Sequence, residues 1–154
     1  MMRIALGSDE ATHLTTHVVA ELESRGHQVV AVGALADGDD VRWPAVGRAV
    51  GELVATGACD EGVLFCFTGT GVSMAANKVP GVRAALCADA QTAAGARRWN
   101  HANVLVMSLR ATSTEEASEM LEAWFSEPPG SGEDAELVRM LEEANITPTG
   151  RRNG

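Results

Sequence analysis

The sequence predicts an α/β protein, a three-layer α/β/α sandwich around a five-stranded parallel sheet, on three observations. Apolar runs of strand length alternate five times with amphipathic runs of helix length. The third run, "EGVLFCF", is almost wholly apolar, as strands are when a parallel sheet is covered on both faces. At 154 residues the chain suffices for one domain and is short for two. It is 45% hydrophobic but only 4% aromatic, so its core must be built mainly of Val, Leu, Ala and Met.

Each element has a local reason. "MRIALGSD" reads as a strand ending in a polar turn. "EATHLTTHVVAELESRG" carries Leu14, Val18, Val19 and Leu22 at helical spacing and stops at Gly26. "HQVVAVG" is the second strand. After the polar loop "ALADGDDVRWP", Pro44 suits the first turn of a helix that ends near Gly57. The third strand, "EGVLFCF", meets a glycine-punctuated turn and then a helix start. "VRAALCA" is the fourth strand, followed by a helix with Asp89 near its N-cap. "ANVLVMSL" is the fifth, followed by a helix that opens on a Ser113 to Glu116 capping box. "EPPGSG" is a turn, and "EDAELVRMLEEAN" a last, solvated helix. With right-handed crossovers, the expected strand order is the flavodoxin-like 2-1-3-4-5, with the C-terminal helix protruding. The organisation expected is one domain over residues 1–145 and a flexible tail over 146–154.

Bulk properties exclude several classes of partner. A formal net charge of -9 argues against nucleic acid and anionic membranes, which need clustered Lys and Arg. No basic-then-apolar leader is seen, and no run approaches the about 18 apolar residues of a membrane span. Cys59, Cys66 and Cys87 show no metal-ligand spacing, so no metal site is expected. His13 and His17 sit four apart but lack a third ligand. His27 reads as a solvated residue at a strand start. The chain reads as cytoplasmic with reduced thiols.

In a doubly wound sheet, ligands sit at the carboxyl ends of the strands where the winding reverses, here between strands one and three. Those strands end in the most polar tips of the chain: Gly7, Ser8, Asp9 and Glu10 on one, and Cys66, Thr68, Gly69, Thr70 and Gly71 on the other. Glycines let backbone N–H groups converge, and the following helix start adds partial positive charge. Such a nest binds an anion or oxyanion and favours the thiolate of a cysteine at its edge. Cys66 is therefore the candidate base or nucleophile, facing Asp9 across one pocket. Cys59 and Cys87 lack this setting and read as structural.

The stretch "CFTGTGVSMAANKVPGVRAA", Cys66 to Ala85, resembles the ribose-5-phosphate isomerase B family, which includes the galactose-6-phosphate isomerase subunits. The family pattern, roughly CGTGxGxSxAANKxxGxRAA, is met at Cys66, Thr68, Gly69, Gly71, Ser73, Ala75 to Lys78, Gly81 and Arg83 to Ala85. Gly7-Ser8-Asp9 fits the end of the family's first strand. "WNHANVLVMSLR" fits its later motif at Asn100, Ala102 to Leu105 and Arg110. The resemblance implies a cofactor-free, metal-independent aldose–ketose isomerase working through an enediolate. It implies Cys66 as base, Thr68 and the Gly69 to Gly71 amides as oxyanion donors, and Asp9 for the protons of ring opening. Ser8, Thr70 and Ser73 would line the substrate, Asn100 would hold a hydroxyl and Arg110 would supply positive charge. It further implies a homodimer, or a tetramer of dimers, because family pockets borrow residues from a neighbour.

The departures from the family cluster in the pocket. Trp99 stands where the family has a ring-opening histidine, with His101 two residues on as a stand-in. Glu10 replaces a histidine, and Arg42-Trp43 replace an aspartate-tyrosine pair. Glu133, Asp134 and Leu137 fall where the family has a phosphate-binding cluster, and Arg139, Arg151 or Arg152 would have to substitute. Trp43 and Trp99 are expected to line a more apolar site or to stack on a sugar, whereas Trp124 reads as core. The leading expectation is an isomerase for a sugar or sugar phosphate with altered specificity. The alternatives are an inactive sugar-binding or regulatory homologue, and an epimerase or dehydratase that removes the same kind of proton.

Overall fold

The computed structural model describes residues 1–144. The expected flexible tail, and with it Arg151 and Arg152, lies outside the described residues. The elements run β1 (Arg3–Ser8), α1 (His13–Ser24), β2 (Gln28–Gly33), α2 (Trp43–Ala55), β3 (Glu61–Cys66), α3 (Thr70–Asn77), β4 (Ala84–Leu86), α4 (Ala90–Asn100), β5 (Val104–Ser108), α5 (Thr114–Ser126) and α6 (Glu133–Glu143). All strand pairs are parallel. The expected Pro44, Asp89 and Ser113–Glu116 signals all act at helix starts. A further capping box, Thr12 with Thr15, starts α1. A cap of this kind contributes about 1 kcal/mol.

The strand order is β2-β1-β3-β5-β4, which corrects the expected 2-1-3-4-5 at one edge. β5 is buried along its whole length and lies beside β3, whereas β4 is three residues long and only partly buried. A short, half-exposed strand belongs at an edge, where fewer backbone groups need partners. The order also sets which face each helix covers. Right-handed crossovers that step one way put α1 and α4 on one face, and those that step back put α2 and α3 on the other. Accordingly α4 packs on α5 and α5 on α1, while α2 packs on α3.

Two cores result. One holds Ile4, Leu6, Phe65, Leu105 and Met107 from the sheet with Leu14, Leu22, Met120 and Trp124 from helices. The other holds Ala5, Leu64, Cys66 and Val106 with Val46, Val50, Val72 and Ala76. Trp124 is core, as expected, and its indole Nε1 donates to Glu61 Oε2 at 2.7 Å. The Arg97 guanidinium stacks on the same ring and pairs with Glu61 at 3.2 Å, which neutralises the buried carboxylate. His27 is not simply solvated. Its ring stacks on Phe125, with centroids 4.7 Å apart, and its Nδ1 accepts the Met2 amide. His17 hydrogen-bonds Ser118 at 2.7 Å. The last helix does not project freely: α6 rests on α4, with Val138 buried and Arg83 paired to Glu142. Leu137, Met140 and Leu141 form an exposed apolar stripe on it.

Candidate active site

β1 and β3 are neighbours, and their last paired residues are Ser8 and Phe65. One step further along each strand come Asp9 and Cys66. Side chains alternate across a strand. Cys66 therefore shares the α2/α3 face with Leu64, and Asp9 follows Gly7 onto that face. Cys66 is buried, at 5% exposure, and packs within the valine core of this face.

Ser8 is fully buried and faces the other way. Its hydroxyl donates to the Glu10 carbonyl at 2.6 Å and accepts the Glu10 amide at 3.2 Å. It therefore shapes the turn that presents Asp9. Glu10 is exposed beside it. Asp9 is half-buried, and its Oδ1 is shut off from solvent without a hydrogen-bond partner among the described residues. Burial pushes its carboxyl above the usual aspartate value. Its own amide opposes that shift and the Glu10 charge adds to it. A carboxyl in this state is suited to exchanging protons with hydroxyls.

After Cys66 the chain turns into α3 through Gly69, the N-cap, at φ 82°. A Cβ there would also meet the Met107 carbonyl at 3.3 Å, so glycine is required both for the dihedral and for the close approach. No side chain caps α3. Its first amides, at Thr70 and Gly71, are left to point outward with the positive end of the helix. Thr68 and Thr70 join hydroxyls at 2.9 Å over this turn, and Ser73 lies one turn further on. Trp43, the first residue of α2, lays its indole on Gly71. A Cβ on Gly71 would come within 2.9 Å of the ring. The ring remains 45% exposed and walls an open cleft of about 750 Å³, lined also by Asp9, Arg42, Pro44 and Arg48. On the other flank, Arg110 stacks on Phe67 at 5.6 Å, and its amide bonds the Phe67 carbonyl. Ser108 Oγ donates to that same carbonyl at 2.9 Å, so β5 holds the loop after Cys66 in place.

Three expected pocket residues are elsewhere in the chain. α4 runs back along the sheet, so Trp99, Asn100 and His101 fall at the amino edge, just before β5, and on the opposite face from Cys66. Trp99 lies on Gly95, and Asn100 lines a separate cavity of about 430 Å³ with Asn77, Arg83 and Leu141. His101 adopts a left-handed φ of 46° as the C-cap of α4, and its Nε2 bonds the Gly130 carbonyl at 2.7 Å. That bond ties the ring to the turn before α6. A single chain thus assembles Asp9, Cys66, Thr68, Gly69, Thr70, Gly71, Trp43 and Arg110 at one edge, and not the end of α4. Glu133, Asp134 and Leu137 begin α6, with Asp134 against Gly130 and Arg139 paired to Glu136. Sequence reasoning missed Phe67, Ser108 and Arg48. Phe67 had a signal, a large apolar residue inside a glycine turn; Ser108 and Arg48 had none without the register of β3 and β5 and the packing of α2.

Comparison with known proteins places this arrangement. Residues 4–141 match the family model described as Ribose/Galactose Isomerase. Ribose-5-phosphate isomerase B of Escherichia coli is 33% identical, with 92% of this chain and 95% of that protein covered. Galactose-6-phosphate isomerase subunit LacB of Clostridium acetobutylicum is 34% identical, with 92% and 83% covered. Among solved structures, Clostridium thermocellum ribose-5-phosphate isomerase B superposes with a TM-score of 0.86 at 34% identity, covering 93% of this chain and 97% of that one. The class so defined is an intramolecular oxidoreductase, an aldose–ketose isomerase of sugar phosphates. The chain belongs to the ribose/galactose isomerase family. No helix among the described residues is long and apolar enough to cross a membrane.

Proposed function

We propose that the protein interconverts an aldose phosphate and its ketose without a metal, through an enediolate, with Cys66 as the base. The thiolate takes the proton from the carbon beside the carbonyl and returns it to the neighbouring carbon. As the proton leaves, negative charge develops on the carbonyl oxygen. The Thr68 hydroxyl and the Thr70 and Gly71 amides supply donors where that charge grows. Asp9 exchanges the hydroxyl proton that opens the sugar ring. The observation that carries this reading is the shared position of Asp9 and Cys66. Both lie one step past the last β1–β3 pair, on one face, beside an uncapped helix start.

The active form proposed is a homodimer in which the partner's α4 end, with Trp99 and Asn100, completes the cleft. The distance of that end from Cys66 within one chain supports this. Substrate preference is proposed to differ from the relatives named above, because Trp43 walls the cleft and carboxylates open α6.

Incubation with pentose and hexose phosphates in deuterated water tests the chemistry. Deuterium is expected at the carbon beside the carbonyl for at least one substrate, and not with Cys66→Ala. No incorporation with any of them would sink the reading. Light scattering checks the dimer. Mixing Cys66→Ala with Asn100→Ala chains is expected to restore activity that neither shows alone.

A further inference from the structure

Resting on the isomerase reading, we propose that the substrate's phosphate is seated on this chain's own α2 entrance, by Arg42 and Arg48, at the outer end of the cleft that begins at Asp9. The start of α6 does not offer such a seat. Its first turn holds three carboxylates, Glu133, Asp134 and Glu136, and α6 carries a single arginine, Arg139. Carboxylates there repel a dianion. The cleft is built the opposite way. Asp9 lies on its wall, and Arg42 and Arg48 line it together with Trp43 and Pro44.

Each guanidinium is held in place by a carboxylate. Arg42 Nη2 meets Asp40 Oδ2 at 2.6 Å, and Arg48 Nε meets Glu52 Oε1 at 2.7 Å. Both pairs are exposed, and exposed pairs hold their members weakly. Both arginines line the cleft, and an incoming phosphate, with more charge and more acceptor oxygens, can take over the forks. The Trp43 ring, which also lines the cleft, lies against Gly71 and gives an apolar wall for the carbon chain beside the α3 amides. The cleft, at about 750 Å³, has room for a sugar phosphate. Its lining matches such a molecule, with one carboxyl, Asp9, and two guanidinium groups, Arg42 and Arg48.

The test uses the full chain with Arg42→Gln, Arg48→Gln and the double variant, each checked for an unchanged melting curve. With the sugar phosphate that the wild type turns over, the double variant is expected to raise KM by about tenfold to a hundredfold. This is the loss of charge-assisted bonds made equally in ground and transition states, so kcat stays within about threefold. Arg139→Gln is expected to leave KM unchanged. Inorganic phosphate, titrated by calorimetry, is expected to bind the wild type and not the double variant, and acetate is expected to bind neither. An unchanged KM in the double variant, or a raised KM in Arg139→Gln alone, overturns the proposal. So does phosphate binding that survives the double substitution, or wild-type protein that binds no phosphate. If no sugar phosphate exchanges deuterium but phosphate binding still depends on both arginines, the anion seat stands and the isomerase reading fails.

Discussion

The two faces of the sheet are filled by different kinds of residue. The α1/α4/α5 face is packed with Phe65, Leu14, Leu22, Met120, Leu121 and Trp124. The α2/α3 face is packed with valines and alanines, and glycines bring its helices close: a Cβ on Gly62 would meet Val50 at 2.7 Å, and one on Gly47 would meet Ala75 at 2.7 Å. Large side chains supply most of the burial energy; small ones fix distances. The proposed chemistry sits on the small-residue face, where Cys66 shares a cluster with Val46, Val50 and Val72, and where Trp43 rests on Gly71. The comparison teaches a division of labour: one face carries the stability and the other carries the geometry.

The largest expected effect tests the second half of that division. Cys66→Ala removes the proposed base while leaving its valine neighbours, so deuterium exchange should drop about 10²- to 10⁴-fold. Urea unfolding should change little. Unaltered exchange would move the chemistry off this face.

Next in size is Trp124→Ala, which tests the first half. Deleting a buried aromatic costs about 3–5 kcal/mol. Here it also takes the indole donor from Glu61 and the ring from under Arg97. Urea midpoints should fall accordingly, while the exchange rate per folded molecule holds. A parallel loss of rate would show the two faces to be coupled.

The bulky face was also the more legible one in the sequence. Leu14, Val18 and Leu22 announced α1 by spacing, and Trp124 announced itself as core. On the other face, the motif from Cys66 to Ala85 located the thiol and the glycine turn. What sequence could not give was relative placement. The exchange of β4 and β5 depends on how many residues actually pair, three in β4, and not on the apolar run "VRAALCA" that suggested more. That exchange puts α4 on the bulky face. Trp99, Asn100 and His101, at the end of α4, thus lie on the opposite face from Cys66, and like the end of any parallel crossover they return to the amino edge of the sheet. His101 illustrates the point: the sequence offers its ring as a replacement acid–base group, and within one chain the ring bonds the Gly130 carbonyl, away from Cys66. Ser8 is buried while its neighbour Asp9 lines the cleft for a related reason, since one residue of register turns a side chain to the other face.

Gly47→Ala gives a smaller and more diagnostic effect. The new methyl would sit 2.7 Å from Ala75 Cβ and 2.8 Å from the Val72 carbonyl, so α2 must move away from α3. Overpacking of this kind costs about 1–3 kcal/mol. If the small-residue face sets geometry, the exchange rate should fall further than the loss of folded protein explains, because Trp43 shifts against Gly71. A stability loss with a normal rate would mean that the close packing serves the core alone.

The smallest effect concerns pH and separates stability from function at one atom. Burial raises the Asp9 carboxyl above its ordinary value. An acid shifted this way binds its proton more tightly folded than unfolded. Ionising it therefore favours unfolding. The cost is absent below the ordinary aspartate value, grows as pH rises through the raised value, and is complete above it. Asp9→Asn removes that cost, so its melting temperature should exceed the wild type's near neutral pH and converge with it in acid, while exchange is lost at every pH. The Oδ1 that lacks a partner is the structural source of the difference. A gap in melting temperature that stays constant from acid to neutral pH would show that the carboxyl carries no burial penalty, and Asp9 would then be a passive hydrogen-bonding group at the mouth of the cleft.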